Sequence, residues 1–578
     1  MLHGPDTRQR LIAVLLIAAL LPILGQLVRL QVLEHSQHQS EAETLVRRQY
    51  ALPEAPWGVI MDRNGDLLIG NVPVYDVGAE INMITDTVIA ASVLAPLLNR
   101  PEEELLATMT LSESAETLVW RPLTNHVPPE TAQKLRELNW PWITLSPTWE
   151  RYYAEGALAC HTLGFVNADG MGYGVQAFQL RFLRGGSLKR VGPVSGDTSP
   201  MPDELTGGNL TPYPGTDLRL TIDRTIQAFV EGALDQAIVD YNAVGGTILV
   251  MNPQTGEILA VASRPNYEPH RYAEYAQNGE TMLFLDPAVS IAYEPGSVFK
   301  IVTVAAALDS GRVDMNWSYH DLGHLEYGGV PIRNSDGAVY GQQGLQGILD
   351  YSLNVGVATL STRELGADLF YKYVRAFGFG QTTGIELTGE ARGIVHLPSD
   401  WDWSDSHLAT NPFGQGIAVT PLQMAMATSA IANDGVMMQP RIVAERHYPD
   451  GRIIPIPAHE LGRPISAETA RAVTEMMARS VETVAKVAQV PGYRVAGKSG
   501  TAQIPTTGGY DPQQVVASYV GFGPVPNPQV VILVNLDRPD VPANMRWGIH
   551  TAAPVFQKVM ARVLTLMGVP PSDLRAGP

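Results

Sequence analysis

The strand-forming stretches in the C-terminal part of this chain fall into two groups on either side of a long helical region, and a compact fold has to bring the groups together. The first is Gly246-Thr-Ile-Leu-Val-Met251 and Glu257-Ile-Leu-Ala-Val-Ala262, joined by the turn Asn252-Pro-Gln-Thr-Gly256. The second is Tyr493 to Thr501, Val515 to Gly523 and Val530 to Leu536. One antiparallel sheet made from both groups leaves the intervening helices to flank it, so the expected class is multidomain α+β. Leu218-Arg-Leu-Thr-Ile-Asp223 reads as a further short strand leading into a helix over 225–241.

With 578 residues the chain exceeds a single core, and the usual size of roughly 100 to 200 residues per domain points to several units. From Leu11 it reads LIAVLLIAALLPILGQLVRLQVL, long enough at about twenty apolar residues for one membrane span. No small-x-small cleavage site follows and no cysteine there offers a lipid anchor, so an uncleaved transmembrane helix over 11–33 is expected. The tail 1–10 is then cytoplasmic and the remainder extracytoplasmic. Residues 34–48 read as a helical stalk. Asn64-Gly65 between apolar runs predicts a tight hairpin, and so the start of a β-rich module. Pro128-Pro129, Pro141 and Pro147 break up an inserted head at about 76–147 with short helices such as 130–138. The Gly-, Pro- and Thr-rich stretch 185–215 reads as an extended connection. The expected units are therefore a stalk and pedestal over 34–214, a domain over 215–568 and a tail over 569–578.

Charge and cysteine use remove several functions. A net charge of -18 leaves no counterion-release drive toward nucleic acid. Cys160 is the one cysteine, which excludes an intramolecular disulfide, an Fe-S cluster and a Cys-rich zinc site; it reads as a small buried residue. His320 and His324 stand four apart beside Asp321 and Glu326 and invite a metal. Gly323 and Gly328-Gly329 argue instead for a loop or hairpin, so no metal and no cofactor is expected.

Chemistry is suggested by three short strings in a fixed order: Ser297-Val-Phe-Lys300, Ser352-Leu-Asn354 and Lys498-Ser-Gly-Thr501. Two of only seven lysines fall within them. Pro295-Gly296 precedes an apolar helix running from Val298 to Leu308, which places Ser297 at its first turn and Lys300 on the same face, within reach of the Ser297 hydroxyl. A lysine base must be neutral near pH 7, and burial in an apolar helix beside a second cation lowers its pKa in that sense; Lys498 can be that cation. Taken alone, Ser297 and Lys300 read better as a capping serine followed by a snorkelling lysine, and the other two strings reverse that reading. Ser352 and Asn354 fall on one side of a loop or helix start, able to relay a proton and hold an amide. Gly497 and Gly500 keep the strand around Lys498 open, so that an extended peptide can add beside it and meet Lys498, Ser499 and Thr501 with its carboxylate. Tyr293 and Glu294 read as shaping the helix entry. Ile504 to Gln514 reads as a flexible loop that gates access.

These segments resemble the penicillin-binding protein transpeptidase family, in particular its class B, monofunctional members, over most of residues 215 to 565. The resemblance extends to Leu220-Thr-Ile-Asp223, Gly256-Glu-Ile-Leu-Ala260, Tyr293-Glu-Pro-Gly-Ser297, Gly414-Gln-Gly-Ile-Ala-Val-Thr-Pro-Leu-Gln423, Gly497-Lys-Ser-Gly-Thr-Ala-Gln503 and Ala552-Ala-Pro-Val-Phe556. Gly58 to Gly65 and Gly172 to Phe178 resemble that family's pedestal, with Trp57 where an arginine is usual and Gln176 where a glutamate is usual. The resemblance implies a membrane-anchored serine D,D-transpeptidase acting on peptidoglycan stem peptides, with β-lactams as mimics of the D-Ala-D-Ala end. It implies Ser297 as nucleophile, Lys300 as base, Ser352 as proton relay and Asn354 as holder of the substrate amide. Lys498 would supply a positive field, and Ser499, Gly500 and Thr501 would bind substrate. The backbone N–H groups of Ser297 and Thr501 would form the oxyanion hole. Nothing in residues 50 to 215 resembles a glycan polymerase, so a polytopic membrane glycosyltransferase partner is expected. Gly380 to Ile385, Val495 to Lys498 and Ser518 to Pro524 resemble the division branch more than the elongation branch. A D,D-carboxypeptidase, a β-lactamase and a non-catalytic β-lactam sensor or scaffold share the same motifs and stay open.

Overall fold

The computed structural model describes residues 49–51, 55–110, 120–186, 189–191, 213–506 and 509–572. The expected span 11–33, the stalk 34–48 and most of the connection 185–215 lie outside these. Among the described residues no helix is long and apolar enough to cross a membrane. The chain divides into two compact units, one of residues 1–56, 73–149 and 185–214, the other of 57–72, 150–184 and 215–578.

The smaller unit includes residues 76–147. Its part of strand Leu67–Glu80 pairs antiparallel with Trp120–Val127. Helices Thr87–Leu98, Glu102–Met109 and Pro129–Glu137 share its core, where Val77, Leu94, Leu105, Leu123 and Leu135 are buried. Asp86 starts the first of these helices by accepting from Val88 N at 3.1 Å and Ile89 N at 3.0 Å, an N-cap that satisfies otherwise orphaned donors.

In the larger unit, helix α1 (Arg224–Tyr241) is followed by strands β1 (Gly245–Met251) and β2 (Ile258–Arg264). The helical region then supplies α2 (Lys300–Asp309), α3 (Leu345–Asp350), α4 (Asn354–Thr359), α5 (Pro421–Ala432) and α6 (Ala467–Thr483). Strands β3 (Ala496–Thr506), β4 (Gly509–Gly523) and β5 (Val530–Asp537) and helix α7 (Ala552–Leu566) complete it. The sheet order is β2-β1-β5-β4-β3, antiparallel throughout, so the two strand groups meet between β1 and β5 and β3 is left at the edge. Alternate residues of β1 enter different cores. Ile248 and Val250 pack with Val230 and Leu234 of α1 and Phe556 and Val559 of α7. Leu249 and Met251 pack with Ile301 and Val302 of α2 and Leu422 of α5. Helices cover both faces of the sheet, which is why these strands read as continuous apolar runs instead of alternating ones.

Two local expectations shift, and the one for His320 and His324 holds. The strand at 218 covers only Asp217–Leu220, because Asp223 accepts from Thr225 N and Ile226 N, both at 3.0 Å, and starts α1. The stretch 504–514 is not a loop: β3 and β4 continue through Pro505 opposite Tyr510 and Thr506 opposite Gly509. Thr507-Gly508 lies outside the described residues. His320 and His324 occupy two different strands, Ser318–Asp321 and His324–Tyr327, so their spacing is not that of a helix face. Cys160 is buried, and the apolar surroundings push its thiol up to about 12.

The Asn64-Gly65 turn closes on Asp62, a fully buried carboxylate. One oxygen accepts from Asn64 N at 2.7 Å and Asp66 N at 2.9 Å, and the other from Arg224 N at 3.1 Å at the start of α1. Strand Asp217–Leu220 lies beside Ile60–Met61 in parallel and Val443–His447 antiparallel.

Candidate active site

Ser297 lies on a 3-10 turn, Gly296–Phe299, that precedes α2. The α-helix therefore begins at Lys300 and not at Val298. Gly296 has a φ of +58°, and helical hydrogen bonding cannot extend back through that left-handed residue. A Cβ on Gly296 would stand 2.9 Å from the Thr501 carbonyl oxygen, so glycine is what lets the turn carrying Ser297 approach β3. From the other side, a Cβ on Gly500 would stand 2.9 Å from Val298 Cγ1 and 3.0 Å from the Pro295 carbonyl oxygen.

Lys300 opens α2, a helix buried on all sides from Lys300 to Ala307, and its side chain is fully enclosed. Burial, reinforced by the charge of Lys498, holds its amine well below the ordinary lysine range. Nζ donates to Asn354 Oδ1 at 2.7 Å, to the Ser352 carbonyl oxygen, and lies 3.1 Å from Ser352 Oγ. Two of these three neighbours are pure acceptors and the third is a hydroxyl, so a neutral amine fits without loss: two N–H groups serve the carbonyls and the lone pair accepts from Ser352 Oγ. Among the described residues no hydrogen bond reaches the Ser297 hydroxyl. The expected contact from Lys300 is absent because the amine is turned toward Ser352 and Asn354.

Ser352 links α3 to α4 with a φ of 56°, a left-handed conformation that costs a serine on the order of 1 kcal/mol. The conformation turns its hydroxyl and its carbonyl toward the same amine. Asn354 is the first residue of α4, and its Nδ2 donates to the Arg333 carbonyl oxygen at 3.0 Å. Lys498 on the edge strand β3 is 4% exposed, and its Nζ donates to Ser352 Oγ at 3.1 Å and to the Ser499 carbonyl oxygen at 3.0 Å. Burial pulls its pKa down to about 8, against the opposing charge of Asp350. Along β3, Lys498 and Gly500 are buried while Ser499 and Thr501 are half-exposed.

Ser297, Ser352, Asn354, Lys498, Ser499 and Thr501 line one cleft of about 680 Å³. The fold thus brings together the three strings, with Lys300 enclosed directly behind them. Several neighbours escaped the sequence reading. Trp547 and His550 line the cleft, and Gly548 N donates to Thr501 Oγ1 at 3.0 Å. The run Trp547-Gly-Ile-His550 just before α7 was the available signal, a glycine between large polar-capable side chains in a loop. Glu294 accepts from Gly416 N at 2.9 Å and from Tyr510 Oη at 3.1 Å, fastening the arm of the β3–β4 hairpin to the loop ahead of Ser297. Tyr293 makes two backbone hydrogen bonds of 2.9 Å with Val419, so this pair of residues shapes the entry to the turn that carries Ser297. Among the described residues no cluster of side chains is arranged to hold a metal ion.

Comparison with known proteins bears on this geometry. Residues 246–561 match the Penicillin binding protein transpeptidase domain, and residues 53–174 match the Penicillin-binding Protein dimerisation domain. Stage V sporulation protein D of Bacillus subtilis is 33% identical over 524 residues, covering 89% of this chain and 79% of that protein. Peptidoglycan D,D-transpeptidase FtsI of Escherichia coli is 29% identical, covering 97% of this chain and 92% of that protein. Among solved structures, penicillin binding protein 3 from Mycobacterium tuberculosis, complexed with ampicillin, superimposes with a TM-score of 0.68 at 28% identity, covering 91% of this chain and 98% of that one.

Proposed function

Because this chain belongs to the class B penicillin-binding proteins, the D,D-transpeptidases of peptidoglycan, we propose that it cross-links stem peptides through an acyl-enzyme on Ser297, assisted by Lys300, Ser352, Asn354 and Lys498. One observation carries the assignment of roles: two buried lysines converge on a single hydroxyl, Ser352 Oγ, each at 3.1 Å, in the cleft that Ser297 lines.

The donor peptide lies extended against the open edge of β3, with its terminal carboxylate at Lys498, Ser499 and Thr501. Asn354 holds a donor amide. The Ser297 oxygen attacks the penultimate D-alanine carbonyl while Lys300, turning its lone pair from Ser352 to Ser297, takes the hydroxyl proton. Catalytic contacts of this kind often tighten only when substrate is bound. Charge developing on the carbonyl oxygen meets the backbone N–H groups of Ser297 and Thr501. The carbon–nitrogen bond then breaks, and the departing D-alanine nitrogen receives a proton through Ser352, which stands between the two lysines. An amine from a neighbouring strand attacks the ester, gives up a proton along the same route, and frees Ser297. A β-lactam enters the first half of this sequence. Its leaving nitrogen stays tethered in the site, so the ester persists.

The apolar run at 11–33 supports a single-pass anchor, with the cleft on the extracytoplasmic side. A separate polytopic glycosyltransferase would polymerise the strands that this enzyme joins. A role at division is favoured by the resemblance of Gly380 to Ile385, Val495 to Lys498 and Ser518 to Pro524 to the division branch. Mass spectrometry of the full chain after labelling with a fluorescent penicillin tests the central claim. A single adduct on Ser297 is expected; no adduct, or one on another residue, defeats it.

A further inference from the structure

Asp321 is a fully buried carboxylate, and among the described residues it forms no ion pair. A buried carboxylate without a cation depends on hydrogen bonds for its stabilisation. Asp321 has two from the protein: Gly323 N at 2.6 Å on one oxygen and Asn334 Nδ2 at 2.7 Å on the other.

Asn334 is itself 4% exposed and fully engaged. Nδ2 also donates to the Ala338 carbonyl oxygen at 3.1 Å, and its own carbonyl accepts from Gly337 N at 3.0 Å. Its remaining acceptor, Oδ1, takes the N–H of Val355 at 3.2 Å. Val355 is the second residue of α4, where an N–H has no partner within the helix, and the N-cap residue Leu353 has no side chain able to supply one. Asn334 does so from another segment. The carbonyl of the preceding residue, Arg333, accepts from Asn354 Nδ2 at 3.0 Å, and Asn354 Oδ1 is left to receive Lys300. Two adjacent residues thus hold both the start of α4 and the amide at its first position. Swapping the Asn354 amide end for end would set a donor against Lys300, and the Arg333 carbonyl forbids this by requiring Nδ2. Arg333, Ser335 and Asp336 line the cleft, but Asn334 does not.

We propose that Asn334 and Asp321 are positioning residues for acyl transfer: the buried Asp321 carboxylate orients the Asn334 amide, which pins the start of α4 and so fixes Asn354 between Lys300 and the substrate. The proposal rests on the reading of Asn354 given above. Asp321 lies fourth in its strand and Asn334 immediately follows the strand Val330–Arg333, so a pair distant from α4 in sequence sets its register.

The test uses the full chain and saturation kinetics with a fluorescent penicillin, which separate non-covalent binding from the acylation rate constant at Ser297, alongside thermal unfolding. Asn334→Asp faces one buried carboxylate with another, and Asp321→Asn leaves two donors competing for one oxygen. Each is expected to lower the acylation rate constant about tenfold to a hundredfold, the range for a group displaced from its working geometry. The double swap Asp321→Asn with Asn334→Asp restores one donor facing one acceptor between the two residues but leaves the Ala338 carbonyl without its donor, and is expected to recover part of that loss. In an Asn354→Ala background, Asn334→Asp is expected to add nothing, because its effect passes through Asn354. Folded single variants that acylate within about twofold of the parent would overturn the proposal, as would fully additive losses in the Asn354→Ala background. Should the single variants fail to fold, the double swap decides: a folded double variant slower than the parent by more than about a hundredfold defeats the pair as positioning residues. An Asn354→Ala protein that acylates at the parental rate would instead defeat the reading of Asn354 itself.

Discussion

Lys300 and Lys498 converge on one hydroxyl: their Nζ atoms each lie 3.1 Å from Ser352 Oγ. Two ammonium groups on one half-buried hydroxyl repel, and the site relieves this by making one of them neutral. Lys300 is the one that yields, since it is fully enclosed and its neighbours suit an amine with a lone pair. Lys498 stays nearer its charged state, with Asp350 favouring the cation. Position alone therefore divides two identical side chains into a neutral amine and a cation, as the proposed roles of base and source of positive field require.

Acylation of Ser297 is expected to follow a bell-shaped pH profile. Toward acid, Lys300 gains a proton and the rate falls. Toward alkali, Lys498 loses its proton near about 8 and the rate falls again. The two limbs belong to the coupled pair, so each is an apparent value. Lys498→Arg keeps a cation that does not titrate in this range, and its alkaline limb should move well above that of the parent. An unmoved limb would remove Lys498 as its source. The same depression has a consequence for folding: between about 8 and 10.5 the unfolded chain binds the Lys498 proton more tightly than the folded chain. Its contribution to stability therefore rises with pH across that window, and Lys498→Met should flatten the rise seen in thermal unfolding.

Ser297→Ala should abolish penicillin labelling while changing stability by less than about 0.5 kcal/mol, the range for a side chain outside any packed or hydrogen-bonded feature. Among the described residues its hydroxyl enters no hydrogen bond, so removing it strands no partner. A calorimetric loss of several degrees in Tm would mean that Ser297 holds the turn together as a cap.

Much of this arrangement was legible because its signals are local. Pro295-Gly296 ahead of an apolar run marks a helix entry, and the Asn64-Gly65 pair marks a hairpin. The apolar strands at 246 and 530 announce a sheet covered on both faces. What escaped depends on contacts between distant segments. Tyr510 sits in a stretch of Thr, Gly and polar residues that reads as a loop, and its strand character comes from the pairing of β3 with β4 and its tie to Glu294. The orientation of Lys300 likewise follows from a left-handed Ser352, and no spacing rule announces a serine at positive φ.

Asp62→Ala should separate stability from chemistry. The carboxylate accepts from the backbone N–H groups of Asn64, Asp66 and Arg224, and alanine leaves those donors without their partner at the start of α1. A loss of about 2 to 4 kcal/mol in denaturant unfolding is expected, from one to three kcal/mol per buried unsatisfied group with partial relaxation. Asp62 is absent from the cleft, so the acylation rate constant of the folded protein should stay within about twofold of the parent. A larger fall would mean that the hairpin at 62–66 supports the site directly.

Gly500→Ala should do the reverse and damage chemistry more than stability. An added Cβ would stand 2.4 Å from Ser518 Oγ, 2.9 Å from Val298 Cγ1 and 3.0 Å from the Pro295 carbonyl oxygen. The serine can rotate away, but Val298 and Pro295 flank Ser297 on the nucleophile's own turn and move only with it. Overpacking of this kind costs about 1 to 3 kcal/mol. The route of relief matters more, because the separation between β3 and the Ser297 turn sets the distance between the N–H groups of Ser297 and Thr501. A displacement approaching 1 Å in such a pair lowers acylation by up to about a hundredfold. Stopped-flow acylation of the folded variant is the measurement that decides. Parental kinetics together with a lowered Tm would show that the strand, and not the nucleophile's turn, absorbs the methyl group.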